Sequence, residues 1–259
     1  MIDFSGIRCS SLLGRALRLA LRLIPDGGVV RVVQGPLRGK RWIAGSSNHG
    51  CWLGSYEAAK QRKAIELVRP GMVCWDVGAN VGFYTLLFAE LVGPQGKVFA
   101  FEPFPRNVDL LRRHVEINGY RNVRIFPCAL ADFDGEASFD PGPNPSMGRI
   151  TSGGPVRVPC ARADTLLATG EVEAPDVIRI DVEGAEAAVF RGARQIMERH
   201  PLILLATHGA QVQLECLGLL AAPGYEMRGL DGSPGELTNE IVAAAVVPGT
   251  GCPGCALRA

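Results

Sequence analysis

The sequence contains no run of about 18 uncharged apolar residues, the length that indicates a membrane-spanning helix. It also lacks the apolar core of a secretory signal peptide, because Arg15, Arg18 and Arg22 interrupt the stretch where that core would lie. Its formal net charge is only +1, so no general positive field favours binding to nucleic acid. With 259 residues, 47% of them hydrophobic, we expect a globular cytoplasmic protein with a substantial core.

The eight cysteines are scattered, and only Cys252 and Cys255 lie close together in the sequence. Cys74 and Cys128 fall within apolar runs, where a thiol behaves as a small hydrophobic group. This usage is typical of a reducing compartment rather than of a disulfide scaffold. Because no second close pair completes a zinc site, we expect an unliganded tail over residues 249–259. A redox-sensitive pair, or zinc completed by distant ligands, is the alternative.

Positive charge is concentrated in residues 1–41, where eight lysines and arginines face two aspartates. Residues 11–24 carry apolar side chains on one face and arginines on the other, which predicts an amphipathic helix. Such a helix packs on the domain or on a partner, or lies on an anionic membrane surface. Peripheral contact with the inner membrane surface therefore stays open. Strands over 29–34 and 40–44 are expected to form a hairpin, so residues 1–50 make an N-terminal extension.

From residue 56 onwards, strand patterns alternate with helix patterns, which predicts a mainly parallel sheet covered by helices on both faces. The last two strand patterns, 225–230 and 241–247, have no helix between them, so we expect them to pair antiparallel. One helix is predicted over 185–200. The polar stretch 134–154 interrupts the alternation, and a loop of that length without secondary structure is typical of a lid over a substrate.

The turn after the first core strand carries the pattern Asp76-x-Gly78-x-x-x-Gly82. A dinucleotide-binding turn has Gly-x-Gly-x-x-Gly instead, and the side chain of Asn80 would crowd the close approach that a pyrophosphate needs. An NAD-dependent oxidoreductase is therefore a disfavoured alternative. S-adenosylmethionine has no pyrophosphate, so the turn favours this cofactor. Gly78 would let the backbone pass the cofactor, and Asp76 would face its ammonium end. Glu102, at the end of the next strand, would bind both ribose hydroxyls.

Several segments of the chain resemble the FkbM-type S-adenosylmethionine-dependent methyltransferases over roughly residues 51–248. They are Leu53–Glu57, Asp76–Thr85, Ala100–Pro103, Ala129–Asp132, Ile180–Glu186 and Asn239–Ala243. The resemblance implies a Rossmann-like class I methyltransferase fold: a seven-stranded, mostly parallel sheet whose last strand is antiparallel. It also implies O-methylation of a hydroxyl on a sugar, a glycan or a secondary metabolite. One departure is Leu205–His208, where the family often has an acidic residue.

Residues at the carboxyl ends of the strands are expected to converge on one edge of the sheet, where α/β proteins bind ligands. The predicted cofactor-binding residues are Tyr56, Glu57, Asp76, Gly78, Asn80, Gly82, Glu102, Ala129 and Asp181. For Tyr56 and Glu57, packing at the start of a helix is an equal alternative to walling the cofactor pocket.

Three residues are predicted to act on the acceptor: His208, Asp181 and Glu183. His208 is a candidate general base because an imidazole titrates near neutrality, with a structural histidine at a strand end as the alternative. Asp181 would orient the acceptor, contact the methionine ammonium group or act as the base. Glu183 either shares this role or stabilises the start of the next helix. His114 and His200 are expected on helix surfaces.

No metal site is predicted, because the sequence shows no third assured ligand beside Asp181 and Glu183. A non-catalytic cofactor-binding protein, tethered to a membrane or to a partner, is the alternative from another functional class. The sequence indicates neither the methyl acceptor nor the oligomeric state.

Overall fold

The computed structural model describes residues 24–142 and 148–245. The predicted amphipathic helix at 11–24, apart from its last residue, and the Cys252/Cys255 tail lie outside the described residues. Within the described ranges, no helix combines the length and the apolar character that crossing a membrane would require.

The described residues form short strands that alternate with helices over most of the chain. The strands are β1 (Val29–Arg31), β2 (Arg41–Ile43), β3 (Val73–Val77), β4 (Lys97–Phe101), β5 (Val123–Phe126), β6 (Ala129–Leu130), β7 (Gly135–Asp140), β8 (Arg149–Ile150), β9 (Val156–Ala161), β10 (Val177–Ile180), β11 (Leu202–Ala206), β12 (Tyr225–Gly229) and β13 (Glu240–Ala245). The helices are α1 (His49–Leu53), α2 (Ala58–Leu67), α3 (Phe83–Val92), α4 (Pro105–Asn118), α5 (Ala163–Ala168), α6 (Glu186–Arg191), α7 (Arg194–Met197) and α8 (Ala210–Ala221), with a 3₁₀ turn at Gly235–Leu237.

Seven strands form the central sheet in the order β12-β13-β11-β10-β3-β4-β5. The strands from β11 to β5 pair in parallel, whereas β13 runs antiparallel to both of its neighbours. This confirms the predicted class I methyltransferase fold with its antiparallel last strand. The chain leaves β3 towards β4 and β5 and returns on the other side at β10, so the strand order reverses between β3 and β10. Ligands of open α/β sheets bind at such a reversal.

The sheet is buried on both faces, which explains why its strands are almost continuously apolar. Successive residues of a strand point to opposite faces. Trp75 therefore belongs to the core beneath α6, α7 and α8, and Cys74 to the core beneath α2 and α3. Both side chains are buried, with 1% and 0% of their surface exposed.

A second, four-stranded sheet has the order β6-β9-β7-β8 and contains much of the stretch expected to be an unstructured lid. That expectation is wrong for 135–140 and 149–150, which form β7 and β8. Strand β7 pairs antiparallel with β9 and buries Ala137 and Phe139 in alternation. The polar residues between these buried positions, and the proline-rich turn that follows, make the alternation of buried and exposed side chains difficult to recognise in the sequence.

The helix predicted over 185–200 is two helices, α6 and α7, so that prediction is wrong. Between them, a Cβ atom on Gly192 would lie 1.9 Å from the carbonyl oxygen of Ala131, so the backbones touch there. The Asp164 carboxylate then accepts hydrogen bonds from the backbone amides of Gln195 and Ile196, at 3.1 and 3.3 Å. A cap supplied by a distant residue starts α7, and no local pattern shows it.

The predicted N-terminal hairpin is confirmed as β1 paired antiparallel with β2. His114 joins the hairpin to the domain. We expected His114 on a helix surface, but its side chain is fully buried. The His114 ring stacks on Trp42 with centroids 3.9 Å apart. Its Nδ1–H donates to the Val81 carbonyl at 2.7 Å, and its Nε2 accepts from the Ile43 amide at 3.0 Å. One neutral imidazole thus joins the hairpin to the turn after β3.

Candidate active site

A cavity open to solvent lies at the carboxyl ends of β3, β4 and β10. The predicted residues that line the cavity are Gly78, Asn80, Glu102, Ala129, Asp181 and Glu183. Its apolar wall comes partly from Leu130, Phe139 and Ile150 of the second sheet. The stretch expected to be a lid therefore does reach the site, as strands.

The turn after β3 is held by close backbone contact. Gly78 has φ +80°, and a Cβ atom there would lie 1.9 Å from the carbonyl oxygen of Asp181. Gly78 is thus required where the ends of β3 and β10 meet, in addition to lining the cavity. Asn80 has φ 51°, a left-handed conformation that asparagine tolerates better than most residues.

Glu102 is 5% exposed and faces the cavity from the end of β4. Its carboxylate accepts the backbone amides of Asn80 at 2.8 Å and of Phe104 at 3.0 Å, and the side-chain amide of Asn107 at 3.3 Å. Burial raises the pKa of Glu102 to about 7, although these hydrogen bonds oppose the shift. The cavity therefore contains a carboxylate whose ionisation falls near neutral pH.

Asp76 does not reach the cavity, contrary to the prediction that it faces the cofactor's ammonium end. It is fully buried, with 0% of its surface exposed. One carboxylate oxygen accepts from Nη1 of Arg179 at 3.0 Å, and the other from Oγ1 of Thr85 at 2.6 Å. Because Asp76 is fully buried away from the cavity and binds Arg179 and Thr85, it holds these two side chains in place.

Gly82 lies at the start of α3 and is absent from the cavity lining. A Cβ atom there would approach Cδ1 of Leu111 to 2.4 Å, with φ at +98°. Its role in the described structure is to let α3 and α4 pack closely behind the turn.

Arg179 is a site residue that the sequence interpretation missed. It is 7% exposed in the central strand β10 and donates to Asp76 at 3.0 Å, to Asp181 at 2.5 Å and to the Gly78 carbonyl at 3.1 Å. Its guanidinium also lies 4.4 Å from the centre of the Tyr84 ring. An arginine within the apolar run of a central parallel strand was the available signal, because such a charge is tolerated only with partners.

Tyr56 and Glu57 precede α2 and lie outside the lining of the main cavity. Tyr56 packs edge-on against Phe83, with ring centroids 5.2 Å apart. Glu57 binds Lys60 at 3.1 Å, and the same ammonium group lies 3.6 Å from Oδ2 of Asp181. Lys60, Arg179 and Asp181 line a smaller crevice beside the cavity. Glu57 thus contacts the neighbouring crevice through Lys60, whereas Tyr56 packs against α3.

His208, Asp181 and Glu183 converge, as their positions at strand ends predicted. Nε2 of His208 lies 3.7 Å from Oδ1 of Asp181 and 3.7 Å from Oε2 of Glu183. On the other side of the ring, Nδ1 donates to Oε1 of Glu186 at 2.7 Å. Glu186 is fully buried at the start of α6 and was also missed as a site residue.

The charges of these groups are mutually dependent. The hydrogen bond to Glu186 raises the pKa of His208, with the nearby carboxylates adding to the shift. Burial alone would raise the pKa of Asp181, but Arg179 and Lys60 hold it below its usual value. Burial raises the pKa of Glu183, and His208 opposes that change. Glu183 has φ 51° and Gly184 φ +99°, so two successive left-handed residues turn the Glu183 side chain at this point.

A mixed sheet of this strand order, with a cavity at the strand reversal and a buried glutamate after its second core strand, defines the class I methyltransferase architecture. The family model described as "Methyltransferase FkbM domain" matches residues 76–225. The chain therefore belongs to the FkbM methyltransferase family, a family of S-adenosylmethionine-dependent methyltransferases.

Named relatives match this chain over part of their length. Hexuronic acid methyltransferase AglP of Haloferax volcanii is 29% identical, over 57% of this chain and 60% of that protein. The 2-O-methyltransferase NoeI of Sinorhizobium fredii is 26% identical, over 53% of this chain and 64% of that protein. The chain thus spans less than two thirds of the length of either relative.

A shorter match and a solved structure belong to the same family. The 31-O-demethyl-FK506 methyltransferase FkbM of Streptomyces tacrolimicus is 42% identical, over 27% of this chain and 26% of that protein. The crystal structure of methyltransferase FkbM from Methylobacillus flagellatus superposes with a TM-score of 0.49 at 17% identity. That superposition covers 76% of this chain and 55% of the other.

Proposed function

We propose that this protein transfers the methyl group of S-adenosylmethionine to a hydroxyl oxygen of a sugar, a glycan or a secondary metabolite. One observation carries the proposal. A single cavity presents Glu102 on one side, and on the other Asp181 and Glu183, which contact His208. The first side suits the cofactor's ribose, and the second suits an acceptor hydroxyl that must lose a proton.

On the cofactor side, Glu102 would accept a hydrogen bond from a ribose hydroxyl, because three of the roughly four acceptor positions of its carboxylate are already used and one remains. The apolar wall of Leu130, Phe139 and Ile150 suits a purine ring. Gly78 and Asn80 bring the turn close to the same space. These features support the cofactor assignment independently of one another.

Methyl transfer from a sulfonium is an in-line displacement. The acceptor oxygen forms a bond to the methyl carbon while the carbon–sulfur bond breaks, and sulfur leaves with the electron pair as a neutral thioether. Alignment of these three atoms contributes several kcal/mol to lowering the barrier. The acceptor's proton must also leave, and a positioned base typically contributes about 10²–10⁴-fold. In this proposal Asp181, Glu183 and His208 orient the hydroxyl and assist its deprotonation.

The activities after which the relatives are named support a hydroxyl acceptor. One relative methylates a hexuronic acid, one is a 2-O-methyltransferase, and one acts on 31-O-demethyl-FK506. Two of the names specify an oxygen and the third a sugar acid. For this chain the acceptor class is a proposal, because the matched segments are partial.

Calorimetry with S-adenosylhomocysteine tests the cofactor half of the proposal. We expect saturable binding, no binding of NADH, and at least about tenfold weaker binding for Glu102→Ala, since a hydrogen-bonded carboxylate is lost. Glu116→Ala, an exposed residue of α4, is the matched control and should bind normally. Binding of NADH in place of S-adenosylhomocysteine would contradict the assignment.

Mass spectrometry tests the acceptor half. The protein is incubated with S-adenosylmethionine and panels of hydroxylated metabolites, glycans and lipid extracts. A product heavier by one methylene unit, formed by the wild-type protein and much more slowly by His208→Ala, is the expected result. Normal turnover by His208→Ala would remove His208 from the proposed site.

A further inference from the structure

We propose that Asp181, Glu183 and His208 together hold one divalent cation of the Mg²⁺ or Mn²⁺ type on the acceptor side of the cavity. One ligand atom from each of the three side chains lies within 4.8 Å of the others. The sequence alone predicts no metal site, because it offers only two assured ligands, the carboxylates of Asp181 and Glu183. The fold adds the third ligand by bringing the end of β11 beside the end of β10.

The separations within this trio favour a bridging ion over direct hydrogen bonds. Nε2 of His208 is 3.7 Å from one oxygen of Asp181 and 3.7 Å from one oxygen of Glu183. Both separations exceed the roughly 2.7–3.2 Å of a hydrogen bond to nitrogen. Two ligands of one ion, each about 2.0–2.2 Å from it, can lie this far apart. The two separations from His208 are therefore compatible with a small cation shared by the imidazole and the carboxylates.

The histidine is oriented as a metal ligand would be. Its Nδ1–H donates to Glu186 at 2.7 Å, which fixes the tautomer and leaves the Nε2 lone pair facing Asp181 and Glu183. Metal-binding histidines almost always donate their other N–H to a carboxylate, a carbonyl or water. Glu186 is fully buried, and its Oε2 has no hydrogen-bond partner among the described residues. A buried carboxylate that accepts from this imidazole and from the backbone amide of Gly184 fits this supporting role.

Negative charge is in excess around the gap. The carboxylates in this connected set of contacts are Glu57, Asp76, Asp181, Glu183, Glu186 and Glu240, and the lysine and arginine partners are Lys60 and Arg179. Arg179 and Lys60 both approach Oδ2 of Asp181, so Oδ1 remains directed at His208. A divalent cation would offset part of this excess without displacing either partner.

Three protein ligands leave coordination positions for an acceptor oxygen and for water. A hydroxyl bound there would lose its proton more readily, because the cation stabilises the alkoxide. This role rests on the proposed methyl transfer, whereas the binding of the cation does not. The competing explanation is that His208 is itself the cation, as an imidazolium held by three carboxylates.

Titration of the full chain with Mn²⁺ decides between the two. Mn²⁺ suits the two carboxylate ligands, whereas the thiolates of Cys252 and Cys255 favour softer metals. After dialysis against EDTA, calorimetry in the presence of S-adenosylhomocysteine should show one Mn²⁺ per chain. We expect at least tenfold weaker Mn²⁺ binding for Glu183→Gln and for His208→Gln. Glu186→Gln should weaken it by about 10–100-fold through lost orientation of the ring.

Glu198→Gln is the matched control, because Glu198 is exposed just beyond α7 and outside the trio. It should bind Mn²⁺ as the wild-type protein does. A direct spectroscopic measurement avoids dependence on variants that fold poorly: bound Mn²⁺ should broaden the imidazole proton resonances of His208 and spare those of His200. His200 instead hydrogen bonds to the Pro223 carbonyl.

No binding of Mn²⁺ at millimolar concentration overturns the proposal, as does equal binding by the wild type, Glu183→Gln and His208→Gln. Either result leaves the imidazolium explanation. The two proposals fail separately. Mn²⁺ binding without S-adenosylhomocysteine binding would refute the methyltransferase assignment alone, and the reverse would refute the cation site alone.

Discussion

At the scale of single residues, two buried carboxylates at neighbouring strand ends have different uses. Asp76 is 0% exposed, and Arg179 and Thr85 occupy its two oxygens. Glu102 is 5% exposed, and it faces the cavity while accepting backbone amides. Three of the roughly four acceptor positions of the Glu102 carboxylate are used, and the remaining one is accessible to a ligand because Glu102 lines the cavity, as Asp76 does not. Similar positions at strand ends thus give Asp76 a structural role and place Glu102 where a ligand can reach it.

The raised pKa of Glu102, about 7, predicts a pH dependence of cofactor binding. The ionised form binds ribose hydroxyls more strongly, so affinity for S-adenosylhomocysteine should be full above this pKa and fall as the pH drops below it. Well below the pKa, the limiting loss is about tenfold per pH unit. Calorimetry across the range measures it. Glu102→Gln should bind more weakly and show a flat profile; a profile unchanged from the wild type would assign the dependence to another group.

The cofactor side of the site is more predictable from sequence than its supports. Glu102 and the Gly78 turn have fixed places after strands, so a local pattern reveals them. Arg179 and Glu186 act through contacts with Asp76 and His208, residues far away in the sequence. A pattern can show that a buried charge needs a partner, but only the assembled sheet identifies that partner.

At the scale of elements, the N-terminal hairpin and the turn after β3 are joined through His114 of α4. Burial lowers the pKa of His114 to about 4, because the protonated ring would lose its solvation. Protonation also requires Nε2 to give up the bond from the Ile43 amide. The contacts that join the hairpin to the domain are thus made by the neutral His114 ring.

The contacts of neutral His114 predict an acid-sensitive contribution to the free energy of unfolding. The unfolded histidine titrates near 6.5, so the contribution is complete above that pH and is lost as the pH falls towards about 4. The full effect is about 3 kcal/mol, with a slope of up to about 1.4 kcal/mol per pH unit. Urea unfolding at several pH values measures it. His114→Gln should be less stable than the wild-type protein at neutral pH and should show a shallower slope; a slope equal to that of the wild type would assign the acid sensitivity to other groups.

Elements with a strong local period were predictable, and those set by distant contacts were not. The alternating strands and helices around β3, β4 and β10 follow from apolar period alone. Strand β7 was missed because glycines and prolines flank its short alternation. The break between α6 and α7 was missed because Asp164 and the Ala131 backbone cause it from elsewhere in the chain.

The contact between the ends of β3 and β10 predicts a severe effect of Gly78→Ala. The new Cβ would lie 1.9 Å from the Asp181 carbonyl oxygen, and φ is +80°. Left-handed backbone alone costs about 1–3 kcal/mol for a residue other than glycine, and the clash adds to it. Gly119→Ala is the matched control, with φ +69° and open space around the new Cβ. Thermal unfolding should show the larger loss for Gly78→Ala; equal losses would mean that the strand ends separate without cost.

At the scale of the whole molecule, the sheet consists of two halves that meet where the strand order reverses. Arg179 of β10 bonds to Asp76 of β3 across this junction and to Asp181 beside the cavity. The ion pair is almost completely buried, with 9% and 0% of the side chains exposed. Loss of one partner would leave a charge without compensation in the centre of the sheet.

Arg179→Met should therefore lower the free energy of unfolding by about 3–5 kcal/mol, the usual cost of breaking a buried pair from one side. Lys97→Met, which breaks the exposed pair with Glu173, should cost at most about 1 kcal/mol. Urea unfolding of both variants makes the comparison. Adding Asp76→Asn to Arg179→Met should restore part of the lost free energy of unfolding, because the unpaired buried charge of Asp76 is removed. If Arg179→Met cost no more than Lys97→Met, the junction would be held by apolar packing alone, and the fixed position of Asp181 at the cavity would need another cause.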